Sequence, residues 1–472
     1  MSPSHPHLSG PGLTRRSVVG GAAALAGAAL VGCGKADGPA RSGSRADVIV
    51  IGAGMAGLAA AARLRSDGAD VTVLEASDRI GGRVHTVDRE GAALDLGAAW
   101  IHDRLGNPLS RIAADAGVKT VLTDYDSVDL RSSDGEPLPE SAIESSAQVE
   151  EEVSGALEAK AESEAAIRIP FGAAWEVERR RAMPLDSAAE ASLNWMLGVA
   201  LPLDLGAGPN EVSLAGWSEG ESYGGGGDAL LVGGADQLTD WIGRGLEVTT
   251  DSPVASVGRN ARGVTVTTRS GRTFEADCCV VTVPLGVLKA ESITFDPPLP
   301  RSHTAAIARL GMGTLDKVIL RYPSKWWGDV TQLGTADSTV DDTISAFNME
   351  PVTGEPFLVV FTGGKYARSL ERLDDRGLVT TLVDRLAAGF GPQVETFDWS
   401  LPTRWSSDRW ARGSYSFLPP GAGPADREVL GEPVGRIVLA GEHTSVERPS
   451  TMDGAYRSGR DAAARASDLV GA

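Results

Sequence analysis

The sequence predicts an α/β protein whose first folded unit is a Rossmann-like dinucleotide-binding domain, joined to a second domain. Three observations predict it. A continuous apolar strand, Val48 to Ile51, runs straight into a GxGxxG turn at Gly52, Gly54 and Gly57 and then into an Ala/Leu-rich stretch with helical composition. A second apolar strand follows and ends on an acid, Glu75, at the spacing expected for a ribose-binding carboxylate. With 472 residues, 42% of them hydrophobic, the chain can bury more than one core.

Residues 1–33 precede the fold and read as a signal peptide. "TRRSVVGGAAALAGAALVGC" places Arg15 and Arg16 before a soft apolar run. That run is shorter than the roughly 20 residues a spanning helix needs. The arginine pair resembles a twin-arginine export signal, and "LVGC" resembles a lipobox in which Cys33 is lipidated. The expectation is export by the twin-arginine route and a lipid anchor on the outer face of the cytoplasmic membrane or the periplasmic or cell-wall side. Residues 34–45 form a Gly/Ser/Ala-rich tether.

The GxGxxG unit explains itself physically. The glycines permit a tight turn, close approach of backbone to a pyrophosphate, and close helix packing, while the helix N-terminus offers free N–H groups to phosphate. Glu75 accepts hydrogen bonds from an adenosine ribose and disfavours a 2′-phosphate. Charge excludes another class: 44 basic against 63 acidic residues, net −19, repel a nucleic-acid backbone and attract small cations. Neighbouring Cys278 and Cys279 sit in a buried-strand pattern and read as core thiols, and the six histidines show no metal-binding spacing.

Which dinucleotide binds is read from "RIGGRVHT", residues 79–86. A second glycine pair ending at Gly82, followed by Arg83, resembles the flavin-dependent amine oxidases. The resemblance spans nearly the whole mature chain. It includes "LTDWIGRGLEVTTDSPVASV", "DCCVVTVPLGVLKAESITFDPPLP" and "GRIVLAGEHTSVERPSTMDGAYRSG". It implies FAD held without a covalent link, because no cysteine follows Cys279, and an amine oxidase fold in which a Rossmann-like FAD-binding domain interleaves with an α+β substrate-binding domain. The expected FAD segments are 46–105, 226–300 and 402–470, and the substrate segments 106–225 and 301–401.

The same resemblance implies site residues. Arg83 and the backbone near Gly82 meet the FAD phosphates and flavin edge, Val254 meets the adenine, and Glu442 the ribityl or phosphate region. Trp405 packs on the flavin with Ala99 and Trp100 nearby, and Thr451 and Met452 open the last helix at its pyrimidine end. Ser450 or Thr451 can cap that helix, with Asp453 completing a capping-box-like pattern. Lys317 matches the lysine that holds a water beside the flavin, and Tyr415 lies near the substrate.

"GAAWIHD" with "GNPL" resembles a segment of polyamine oxidases in which a histidine, here His102, borders the substrate tunnel. Asp103 stands where glycine is usual, and an added carboxylate there favours a polycation. Glu219 and Glu221 are further candidate ammonium partners, and "GGGG" at 224–227 reads as a mobile loop rather than a phosphate cradle. The implied activity is oxidation of a small cationic amine, most like a polyamine, by oxygen, yielding aldehyde, amine and hydrogen peroxide. Oxidation of another amine or an L-amino acid, and a flavoprotein that only binds a ligand or passes electrons, are the alternatives.

Overall fold

The computed structural model describes residues 46–339 and 343–471. Residues 1–45, the stretch read as a signal peptide and tether and containing Cys33, lie outside the described residues. A five-stranded parallel sheet forms the first layer, in the order Ile437–Leu439, Cys278–Val281, Asp47–Ile51, Asp70–Leu74, Val248–Thr249. Its central strand is apolar at every inner position because both faces are covered. Val48 and Val50 pack with Leu58, Leu64 and Ala463, while Ile49 and Ile51 pack with Leu74, Val257 and Leu285. Cys278 and Cys279 are buried free thiols in the neighbouring strand.

Helix Met55–Ser66 crosses the final helix, Met452–Val470, at a contact that only small residues allow. A Cβ on Gly459 would sit 2.0 Å from the Ala56 carbonyl oxygen. A four-stranded sheet (Thr273–Ala276, Val264–Thr268, Val254–Arg259, Thr294–Asp296) covers the other side.

The second domain is a six-stranded sheet in the order Trp399–Pro402, Leu315–Arg321, Phe357–Gly363, Ile344–Asn348, Gln332–Ala336, Val128–Ser132. One face carries Val318, Leu320 and Val360 against Leu378, Leu382 and Leu386 of helix Asp375–Phe390. The opposite face carries Ile319, Phe347 and Phe361 against Leu94, Ala99 and Leu230 of the nucleotide domain. Strand periodicity puts Lys317 on that second face, beside Ile319.

All strands of the parallel sheet come from within 46–105, 226–300 and 402–470. The expected boundary at 300 is displaced. Helix Arg301–Arg309 belongs to the nucleotide-domain core, where Ala306 and Ile307 pack with Val257 and Leu430. Its apolar face has no partner on the six-stranded sheet, so the second domain resumes only at Leu315. The glycine run at 224–227 is tied down, since Gly225 and Gly227 accept backbone hydrogen bonds of 3.0 Å from Leu105 and Arg104.

Gly459→Ala is expected to force the two crossing helices apart and destabilise the protein by about 3 kcal/mol, the upper part of the range for overpacking a dense core. Urea unfolding checks this, and a loss below about 0.5 kcal/mol would show that the crossing relaxes freely.

Candidate active site

The nucleotide cradle is built as its glycines require. Gly52 has φ +102°, and a Cβ on Gly57 would lie 1.8 Å from the Gly52 carbonyl oxygen. At Gly54 a built Cβ would meet the Gly81 carbonyl oxygen at 3.7 Å, an ordinary contact, so the second glycine pair packs directly against this turn. No side chain caps helix Met55–Ser66, which leaves its leading N–H groups without an intrahelical partner and suited to a phosphate. Gly82 has φ +61° and closes on the Gly54 Cα at 3.4 Å from a built Cβ.

Glu75 is buried, with Oε2 accepting from Ala53 N at 2.7 Å and Oε1 from Ser77 N at 2.8 Å. Ser77 Oγ also donates to Oε1 at 2.9 Å, and since a carboxylate has about four acceptor sites, one remains, on Oε2, for a ribose hydroxyl. Val254 lines the same cleft with Glu75, Leu74 and Trp410, an apolar slot beside an acid, which suits an adenosine. An uncapped helix start, a glycine turn that admits no side chain at Gly57 and a buried acid beside an apolar slot together fit the phosphates and ribose of FAD.

Arg83 reaches across to Glu442, with Nη1 2.8 Å from Oε1, and also donates to the Ser414 carbonyl. Glu442 accepts from Ser416 Oγ at 2.6 Å and Ser450 N at 3.2 Å. Although burial opposes it, Arg83, His443 and Arg427 hold the Glu442 carboxyl down at about 2. Neighbouring His443 is buried and lowered to about 4, chiefly by burial. Arg427 links this group to Glu219 through two hydrogen bonds of 2.9 and 2.8 Å, both side chains being buried. Glu219 is therefore committed to Arg427, and the expectation that it meets a substrate ammonium gives way to this ion pair.

Lys317 is buried, and its ammonium donates to the carbonyls of Asp95 at 2.7 Å and Gly97 at 2.6 Å. Burial lowers its pKa to about 8, against the attraction of Asp95, itself raised to about 6 by burial. The rings of Trp100 and Phe361 lie 5.9 and 5.7 Å from Nζ. From the other side Trp405 donates its indole N–H to the Leu96 carbonyl at 3.1 Å. Lys317, Trp405, Ala99 and Trp100 thus converge on residues 95–100. Tyr415 spends its hydroxyl on the carbonyls of Pro202 and Leu203, so it offers the site a ring, not a donor.

His102 follows strand Trp100–Ile101, its side chain 46% exposed and its Nδ1 2.8 Å from Asp228 Oδ2. Asp228 also accepts from Tyr125 OH at 3.0 Å and from Asp103 N at 3.0 Å. Burial notwithstanding, the His102 hydrogen bond and charge bring the Asp228 carboxyl to about 2. Asp103 has φ +49°, a left-handed conformation that explains why glycine suits this position and that aspartate tolerates.

The Asp103 carboxylate does not face the cleft freely. Its Oδ2 accepts from Arg448 Nη1 at 3.0 Å, and Arg448 also holds Asp453 at 2.8 Å. Glu221 keeps an exposed side chain, while its backbone carbonyl accepts from Arg448. Thr451 caps the last helix by accepting from Gly454 N at 3.0 Å, with Met452 buried behind it. The capping box does not form: Asp453 is one position too early to reach back, and turns to Arg448 and Tyr223 instead. Sequence reading missed Asp228, Tyr125 and Arg448. The acid directly after "GGGG" was the one available signal.

The family model described as flavin containing amine oxidoreductase matches residues 55–467. The chain belongs to that family and is an FAD-dependent amine oxidase. It is 34% identical over 429 residues to polyamine oxidase 4 of Oryza sativa subsp. japonica, a match covering 88% of this chain and 87% of the relative. Polyamine oxidase 2 of Arabidopsis thaliana is 33% identical over 434 residues, covering 88% and 87%. A solved structure of putrescine oxidase redesigned in cofactor binding superposes with a TM-score of 0.71 at 24% identity, over 90% of this chain and 99% of that one, which establishes the amine oxidase fold.

The depressed carboxyl of Glu442 and the depressed imidazole of His443 predict acid lability. Below 6.5 the unfolded chain binds a proton at His443 that the folded state refuses until about 4, so stability falls across that window. Glu442 adds stability above 4.5 that is lost as pH falls toward 2, about 3 kcal/mol in all. Urea titrations across this range should show Glu442→Gln less stable at neutral pH but flatter below pH 4.5; a parallel slope in the mutant would remove Glu442 as the source.

Proposed function

We propose that the amine oxidised is a polyamine of the spermine or spermidine type. The observation that carries the reading is the pairing of His102 with Asp228 at one end of Trp100 and the buried Lys317 near its ring. A polyamine carries several nitrogens on one apolar stem, and the site offers two nitrogen-directed groups separated by an aromatic wall of Trp100, Phe347 and Phe361. The similarity to plant polyamine oxidases supports the same substrate class.

FAD, which the Gly52–Gly57 turn, Glu75 and the Val254 slot would hold, would supply the two-electron oxidant for the amine, with oxygen as the final acceptor. A secondary amine, oxygen and water then give an aldehyde, a primary amine and peroxide. The protein positions and desolvates. Asp228 holds the His102 Nδ1 and so fixes the orientation of the ring. The Asp228 carboxylate lies close enough to favour remaining charged nitrogens. Lys317 spends two donors on Asp95 and Gly97, and its third can hold a water. With a pKa near 8, Nζ can release or take up a proton at mildly alkaline pH.

Export and lipid attachment belong to the same proposal. They rest on Arg15, Arg16 and Cys33 in "TRRSVVGGAAALAGAALVGC". A twin-arginine route carries already folded protein, which suits an enzyme that must bind FAD before leaving the cytoplasm.

Peroxide release on adding spermine, spermidine, putrescine and a panel of L-amino acids tests the substrate class. Polyamines should be turned over best, and His102→Ala should cost them about 1–3 kcal/mol in kcat/KM, the scale for leaving one polar group of the bound complex unpaired. A monoamine should suffer less; equal losses for every amine, or turnover of amino acids alone, would overturn the polyamine reading.

Lys replacement of both Arg15 and Arg16 should leave active, FAD-loaded enzyme in the cytoplasm, and Cys33→Ser should release exported enzyme from membranes. Unchanged fractionation of either variant removes the corresponding part of the export proposal.

A further inference from the structure

Asp316 precedes Lys317 but points to the opposite face of strand Leu315–Arg321, away from the site, and is buried. Its Oδ1 accepts from Trp405 N and from Thr403 Oγ1, both at 2.9 Å. Thr403 is bound to Lys317 twice, through Lys317 N to Thr403 Oγ1 at 2.8 Å and Thr403 N to Lys317 O at 2.8 Å. The loop that carries Trp405 is thus laced to the strand that carries Lys317, with the Asp316 carboxyl in the middle.

Glu371, also buried, holds the next residues of the loop. Its Oε1 accepts from Ser406 N at 2.8 Å, and Oε2 accepts from Ser406 Oγ at 2.6 Å and from Ser407 Oγ. The two carboxyl groups face each other, and Asp316 Oδ2 has no donor among the described residues. Two buried carboxylates in contact cannot both stay ionised. A proton on Oδ2 solves both problems at once, since the resulting O–H donates to Glu371.

We propose that Asp316 and Glu371 share one proton and act as positioning residues, clamping the 403–407 loop so that Trp405 and Lys317 meet the flavin from a fixed geometry. The inference rests on the chain being a flavin amine oxidase and not on its substrate being a polyamine. Trp405 N and the Lys317 strand answer to the same carboxyl, while the Trp405 indole and the Lys317 ammonium answer to Leu96, Asp95 and Gly97. Slack in the clamp therefore moves two groups of the site together. Burial raises the Asp316 carboxyl to about 8, with Glu371 adding to the rise. Glu371 is also buried, but hydrogen bonds from Asp316, Ser406 and Ser407 lower it. The proton therefore resides on Asp316.

Asp316→Asn copies the protonated acid, because its amide donates to Glu371 while its carbonyl accepts from Trp405 and Thr403. It should keep the FAD content, visible flavin bands and flavin-reduction rate of the native enzyme within about twofold. Asp316→Ala should keep FAD yet shift the flavin bands and slow reduction by between about 10- and 100-fold, the cost of a small misplacement. Infrared difference spectra of native protein minus Asp316→Asn, recorded with and without FAD, should show one protonated-carboxyl stretch lost. An Asn variant as impaired as the Ala variant, an Ala variant with native bands and rate, or no lost carboxyl stretch would each overturn the clamp. Should Asp316→Ala fail to fold, the Asn variant and the infrared band still decide. Should no polyamine reduce the native flavin, that refutes the substrate reading alone, because the spectral comparisons need no substrate.

Discussion

Everything in this site depends on one buried contact, the Lys317 ammonium donating to the carbonyls of Asp95 and Gly97. It joins a strand of the second domain to the chain segment that leads from the nucleotide cradle to His102. An ammonium leaves water only where carbonyl oxygens replace its hydration. Those oxygens are correctly aimed because residues 92–95 form a strand and Gly97 packs without a side chain against Arg83 O. The domain interface and the chemistry are therefore the same object. Trp100 and Phe361 complete it by keeping water from the ammonium on the remaining side.

Around that contact run two buried ionic chains. Arg83 with Glu442 ties the second glycine pair to the "GEHT" turn, and Arg427 with Glu219 ties helix Pro424–Gly431 to the segment after Trp217. Arg448, with Asp103 and Asp453, ties the histidine loop to the start of the last helix. Pairs of this kind add little net stability over apolar packing, yet removing one partner costs about 3–5 kcal/mol because a buried charge is stranded. Their value here is geometric, since Arg83–Glu442, Arg427–Glu219 and Arg448–Asp103 each join segments more than 200 residues apart in the chain. They also consume carboxylates, so the acidity of the sequence near the site overstates what a substrate meets. Asp228 is the acid left to orient His102.

The nucleotide half was legible because its information is local. Gly52, Gly54, Gly57 and Glu75 each act through the backbone turn they occupy, and a spacing of a few residues carries the whole argument. Lys317 stood out through the resemblance of its segment to the flavin amine oxidases, since a lone lysine at the start of an apolar strand reads by itself as solvated. Glu219, Glu221 and Asp103 looked alike as acids near a presumed mouth, and nothing local separates a solvated carboxylate from one gripped by an arginine. Helix Arg301–Arg309 went to the wrong domain because its amphipathic face names no partner.

The sequence by itself determined the Rossmann-like unit, the cradle and its acid, and the resemblance to the flavin amine oxidases that singles out Lys317 and His102. Those are consequences of short-range steric rules and of residue type. Only the tertiary structure decided which acids are spent in ion pairs, that Asp228 faces His102 across 126 positions of chain, and that Asp316 and Glu371 meet behind Trp405. The physical reason is that a charge is defined by its partner, and partners distant in the chain are chosen by packing.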